Sequence, residues 1–74
     1  MAGRGRENPD LRAIGSRIRG LRGEMLQEEL AVYLGISQGQ LSKIERGNVA
    51  PTVGVLTALA QKFGRTIDWI VRGE

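Results

Sequence analysis

Apolar residues recur along this chain at helical intervals, in five separate stretches. Leu11, Ile14, Ile18 and Leu21 are spaced by three, four and three residues, which puts them on one stripe of a helix. Asn8 or Asp10 can cap that helix, with Pro9 near its first turn and Gly23 as its stop. Arg12, Arg17 and Arg19 fall mostly off the stripe. Leu30, Ala31 and Leu34 make the apolar face of a second helix, and Gly35, which accepts φ > 0, ends it. Ile36 follows as an apolar plug. Ser37 then caps a third helix, whose buried side is Leu41 and Ile44.

The chain continues through a loop, Asn48 to Thr52, into a fourth helix capped by Thr52 and stopped by Gly64. Val53, Leu56, Leu59, Ala60 and Phe63 are its expected buried face. Gly54 costs that helix about 1 kcal/mol against alanine, and either a close helix–helix approach or a dimer partner explains it. A last short helix begins after Thr66, with Asp68 at its positive end and Ile67 and Ile70 expected in the core. Trp69 is read as a lid on that core, with a dimer contact as the alternative. Arg72 to Glu74 is expected to fray.

The polar positions change the picture most between Gln27 and Gly47. Opposite Leu41 and Ile44, the third helix carries Gln38, Gln40, Ser42, Lys43 and Arg46. These are flexible donors and acceptors with two cations, a set suited to base edges and phosphates.

Composition narrows the function classes. The 74 residues form one domain with a small core. There is no Cys and no His, which removes disulfides, thiol catalysis, zinc fingers and imidazole chemistry together. No paired carboxylates share a predicted face, and Glu28 and Glu29, being adjacent, point apart, so an enzyme is not expected. No cofactor or metal is implied. No apolar run approaches the roughly 20 residues of a membrane span, and the N-terminal Arg residues are not followed by the apolar run of a signal peptide. A cytoplasmic address fits. The net charge of +3 is uneven: residues 1–22 hold six Arg against Glu7 and Asp10, a local balance of +4. A basic quarter of this kind points either to a polyanion partner or to a solvated tail.

Residues 1–8 show no apolar periodicity and read as a flexible arm ahead of a domain spanning 9–74. Gly3-Arg4-Gly5-Arg6 is similar to the centre of an AT-hook, in which Arg follows the potential of a narrow minor groove; Arg4 and Arg6 are candidates for that role, without the flanking prolines. A plain tail is the competing description.

Gln27-Glu28-Glu29-Leu30-Ala31, Leu34-Gly35-Ile36-Ser37, Leu41-Ser42 and Ile44-Glu45-Arg46-Gly47, at these offsets, resemble the DNA-binding helix-turn-helix of the Cro and phage-repressor (XRE-type) family. The resemblance covers roughly residues 11–72. It implies an all-α fold, a compact five-helix bundle of the lambda-repressor-like type with a central helix-turn-helix. Ala31 is then the small residue that lets the two helices cross. Ser37, Gln38, Gln40 and Lys43 are the implied base contacts, and Gln27, Arg46, Gly47 and Asn48 the implied phosphate contacts. Gln27 also steadies Gln38, while Gly39 stands where the family often has a reading side chain. Arg22 and Glu45 match the family's structural ion pair. One departure stands out. Only Gly23, Glu24, Met25 and Leu26 separate Arg22 from Gln27, where the family has a longer connection ending in Gly-Leu-Ser/Thr. Leu26 replaces the usual cap, and either a tight turn packs Met25 or Leu26 into the core or the first helix runs on into the second.

The implied function is a sequence-specific transcription regulator, a repressor, bound to double-stranded DNA as a homodimer on an inverted repeat, its two reading helices about one turn (~34 Å) apart. Two alternatives share the fold: an antitoxin or immunity-type repressor with a protein partner, and a protein-bridging module that binds no operator.

Overall fold

The structure, a computed structural model, describes residues 10–74, all of whose regular elements are helices. The Arg4/Arg6 arm and the alternative cap at Asn8 lie outside the described residues. The helices are α1 (Leu11–Arg22), α2 (Gln27–Leu34), α3 (Gln38–Glu45), α4 (Val53–Phe63) and α5 (Ile67–Arg72).

Four of the five starts are capped by a side chain in extended backbone. Asp10, Ser37, Thr52 and Thr66 each accept the N–H three residues on, from Ala13, Gln40, Val55 and Trp69, at 2.9–3.1 Å. α2 is the exception, because Leu26 has no acceptor to offer. Only the reciprocal half of a capping box survives there, with the Leu26 N–H donating to Glu29 Oε1 at 3.2 Å.

Between α1 and α2 the chain makes a tight turn, and α1 does not run on. Met25 N–H donates to the Arg22 carbonyl at 3.0 Å, and Arg22 Nη1 donates back to the Met25 carbonyl at 2.8 Å. Met25 packs against the core, whereas Leu26 stays exposed. The turn between α2 and α3 is closed at Gly35 (φ 74°), with Ile36 N–H donating to Ala31 O and Gly35 N–H to Val32 O.

α1 packs against α3 and α5, α2 against α3 and α4, and α4 against α5. The core lies where these layers meet: Ile14 and Ile18, Leu30 and Ala31, Leu41 and Ile44, Val55 and Leu59, and Ile70. Each fully buried Ile or Leu among them contributes roughly 1.5–3 kcal/mol of transfer free energy.

Two apolar expectations are corrected, and one of the two explanations for Gly54 is removed. Val53 is 75% exposed, and Val55 takes its place in the core. Val53 shares an i, i+3 interval with Leu56 but lies at the edge of the stripe centred on Val55, Leu56, Leu59 and Phe63. Ile67 is 38% exposed and only Ile70 is fully buried, since a helix of six residues has one fully inward position to give. Gly54 is not at a close helix–helix approach within the chain: a Cβ there would meet only Thr52 Oγ1, at 3.8 Å.

The close approach is at Gly15 instead. A Cβ on it would fall 2.5 Å from the Glu45 carbonyl oxygen, so this glycine sets how near α1 lies to α3. The last turn of α5 is anchored to α1, while Arg72 to Glu74 remain exposed. Arg17 Nη1 donates to the carbonyls of Ile70 (2.9 Å) and Val71 (3.1 Å), and Gly73 closes over the guanidinium. Trp69 is half-buried on the core, with the Arg65 guanidinium 4.1 Å from its ring centroid.

Candidate nucleic-acid interface

α3 buries one face and exposes the rest of its circumference. Leu41 and Ile44 are sealed in the core, while Gln38, Gly39, Gln40 and Lys43 are exposed. Ser37 is exposed too; its oxygen is occupied by the Gln40 N–H, which leaves its hydroxyl proton free to donate outward.

Behind these exposed residues runs a chain of side-chain hydrogen bonds. Arg22 meets Glu45 as a bidentate pair, Nε to Oε2 at 2.7 Å and Nη2 to Oε1 at 3.0 Å. The Glu45 side chain is only 3% exposed. Its hydrogen bond to Arg22 holds that guanidinium's pKa above the ordinary arginine value, against the opposing pull of burial and with a further coulombic contribution from Glu45. Gln27 Nε2 donates to Glu45 Oε1 at 3.0 Å, and Gln38 Nε2 donates to Gln27 Oε1 at 3.3 Å. The first residue of α3 is thus tied, through the first residue of α2, to the ion pair at the end of α1.

At the far end of α3 the three phosphate candidates Arg46, Gly47 and Asn48 divide. Arg46 and Asn48 are exposed, though Arg46 Nε rests on the Ser42 carbonyl at 3.3 Å. The Gly47 and Asn48 amides are already used, donating to Ile44 O (3.0 Å) and Lys43 O (2.9 Å) as they close the helix with Gly47 at φ 80°. Any anion here is met by side chains. Gly47 also packs against α1, and a Cβ on it would stand 2.8 Å from both Cα and Cγ of Arg12. The exposed Arg12 side chain therefore leaves the backbone beside Gly47, next to Arg46 and Asn48. Sequence reasoning did not single out Arg12 for this end of α3, and its only signal was a cation placed off the apolar stripe of α1.

Gln27, Gln38 and Glu45 are brought together, and Gln40 and Lys43 are exposed farther along α3. Among the described residues, no group of three or more His, Cys, Asp or Glu is placed to hold a metal ion, and no helix is long and apolar enough to cross a membrane.

The helix-turn-helix family matches residues 17–70, most of the chain and all of this interface except Arg12. The chain belongs to that family. Its five-helix fold is that of the lambda- and 434-repressor-like members, which are regulators rather than enzymes. The P22 c2 repressor, solved in complex with a synthetic operator, is similar at 28% identity with a TM-score of 0.76, over 82% of this chain and 96% of that one. The restriction-modification controller protein C.AhdI of Aeromonas hydrophila is 27% identical, TM-score 0.72, over the same shares. The clp gene regulator ClgR of Corynebacterium glutamicum is 26% identical, TM-score 0.73, over 86% of this chain and 70% of that one. No curated protein sequence matches the chain at a significant level. Within this helix-turn-helix domain, α2 and α3 are the two helices of the motif.

Proposed function

We propose that this DNA-binding transcription regulator acts as a repressor, binding an inverted-repeat operator as a symmetric homodimer. One observation carries the proposal: Gln38, Gln40 and Lys43 are all exposed on α3 while Leu41 and Ile44 hold that helix from behind. An exposed helix bearing amides and an ammonium fits the major groove, where Gln pairs with adenine and Lys with the guanine acceptors. Ser37 supplies one further donor. The Gln27, Arg46 and Asn48 side chains meet phosphates and set the docking register, and Gly47 contributes the turn that places them. Arg12 joins that phosphate set from α1. Arg4 and Arg6 are assigned, on sequence alone, to the neighbouring minor groove. The similarity to a repressor seen on an operator supports the reading.

The test is selection of bound duplexes from a random library, followed by sedimentation of the protein with and without the selected site. A palindromic consensus bound by two copies is the expected result. With Gln38→Ala, affinity falls by about 1–3 kcal/mol and one base position relaxes. A protein that enriches no sequence, or a Lys43→Ala variant with undiminished affinity, refutes the assignment.

A further inference from the structure

Glu45 stands behind the recognition face, closed off from solvent, yet it lies two hydrogen bonds from a base-reading side chain. We propose that Glu45 is a positioning residue that, acting through Gln27, fixes which end of the Gln38 amide points at the DNA and so makes adenine, rather than guanine, the purine read there. This rests on the DNA-reading assignment above.

The chemistry of the donor and acceptor ends dictates the direction of the relay. A carboxylate accepts hydrogen bonds and donates none. Glu45 Oε1 already takes Arg22 Nη2, and the side chain that approaches it from α2 has to bring a donor. An amide has two unlike ends, so Gln27 turns its Nε2 inward to Glu45 and its Oε1 outward. That oxygen in turn accepts from Gln38 Nε2. Gln38 thereby uses one of its two N–H groups and keeps one N–H and its carbonyl for a ligand. Adenine offers the matching pair on its major-groove edge, an acceptor at N7 and a donor at N6. Guanine offers two acceptors, N7 and O6, and would set its O6 against the Gln38 carbonyl. With Gln27 reversed, Gln38 would use its carbonyl internally and present two N–H groups, which favours guanine. The preference between purines is therefore decided by an acid that touches no base.

Two variants test this by different routes. Gln27→Met removes the relay and leaves the Arg22–Glu45 pair intact. Glu45→Gln keeps the shape and lets an N–H stand at the Oε1 position facing Gln27, at the cost of one of the two hydrogen bonds from Arg22. Both are assayed by duplex selection, with Gln38→Ala marking which base position Gln38 reads. The expected result is that the adenine-over-guanine preference at that position falls about tenfold, equivalent to 1.4 kcal/mol, while preferences at the Gln40 and Lys43 positions stay as in the parent. Gln27→Met stays folded, with a thermal midpoint lowered only by the loss of one hydrogen bond to the Glu45 carboxylate. Its lost phosphate contact adds a uniform drop in affinity, separable because it applies to every sequence equally. An unchanged purine preference in Gln27→Met, or a uniform drop alone, overturns the proposal. If the parent protein selects no sequence at all, the DNA-reading assignment fails instead. The relay is then judged in the free protein, where the Gln38 side-chain amide resonances should shift in both variants; resonances that stay in place overturn it.

Discussion

Arg22 and Glu45 lie 23 residues apart in sequence and 2.7 Å apart in space. The pair joins the end of α1 to the last turn of α3, and a third donor of the same guanidinium closes the short turn into α2 at the Met25 carbonyl. One side chain thus sets the relative placement of three helices. A buried ion pair need not add net stability, because desolvation offsets much of its attraction. Its geometric role is the firmer one here.

Removing one partner should nonetheless be costly. Arg22→Met leaves a buried carboxylate unpaired and is expected to destabilise by about 3–5 kcal/mol. That is a large share of the roughly 5–15 kcal/mol that holds a typical domain together. The double variant Arg22→Met/Glu45→Leu should recover most of the loss in a urea titration while losing the tie to Gln27. Because the folded-state pKa of Arg22 is raised, its contribution is fully present below the ordinary arginine pKa and is lost only above it. Titrating Arg22 therefore changes nothing across the neutral range.

Two glycines of α1 should respond with opposite signs. Gly20→Ala meets open space and should stabilise by up to about 1 kcal/mol through helix propensity. Gly15→Ala drives a Cβ into the Ile44 and Glu45 carbonyls, so α3 must move. A net loss of about 1–3 kcal/mol is expected, as for overpacked cores. Thermal unfolding of the two variants under one set of conditions checks both.

Arg17 ties α1 to the end of α5. Arg17→Met keeps the aliphatic stem and removes both bonds to the Ile70 and Val71 carbonyls. Hydrogen bonds from a charged donor to such groups are worth about 1.5–3 kcal/mol, and half-buried Trp69 lies on the same helix. A loss in that range, with a red shift of the single Trp emission, is the expected outcome. An unmoved emission maximum would show that α5 docks without Arg17.

The phosphate set should be separable from the base-reading set by salt. Arg12→Ala and Arg46→Ala should each lower the slope of log affinity against log salt by about 1, without changing the selected sequence. Replacing Arg4 and Arg6 together should do the same by up to about 2. A slope left unchanged by either replacement removes that group from the interface.

Much of this molecule is local, and local features are legible. The caps at Asp10, Ser37, Thr52 and Thr66 are short polar side chains bonding their own next turn. The Gly35 turn follows from one residue that tolerates a left-handed backbone. The stripe through Leu11, Ile14, Ile18 and Leu21 is helical periodicity, and the outward face of α3 is its complement. None of these depends on what lies across the domain.

The remainder does. The spacing of α4 offers two overlapping stripes, Val53 with Leu56 and Ala60 or Val55 with Leu59 and Phe63; the position of α4 against α2 and α5 buries Val55 and exposes Val53. Gly15 looks like a weak point of α1 until α3 is laid against it. Arg12 and Arg17 read as two solvated cations of one helix, yet one reaches the end of α3 and the other the end of α5. By itself the sequence determined five helices, their caps, most of the core and the polar face, because these arise from contacts within a turn or two. Only the tertiary structure decided which glycine is a helix crossing, which arginine is an anchor and how Glu45 reaches Gln38, because those contacts join residues distant in the chain whose meeting no local rule encodes.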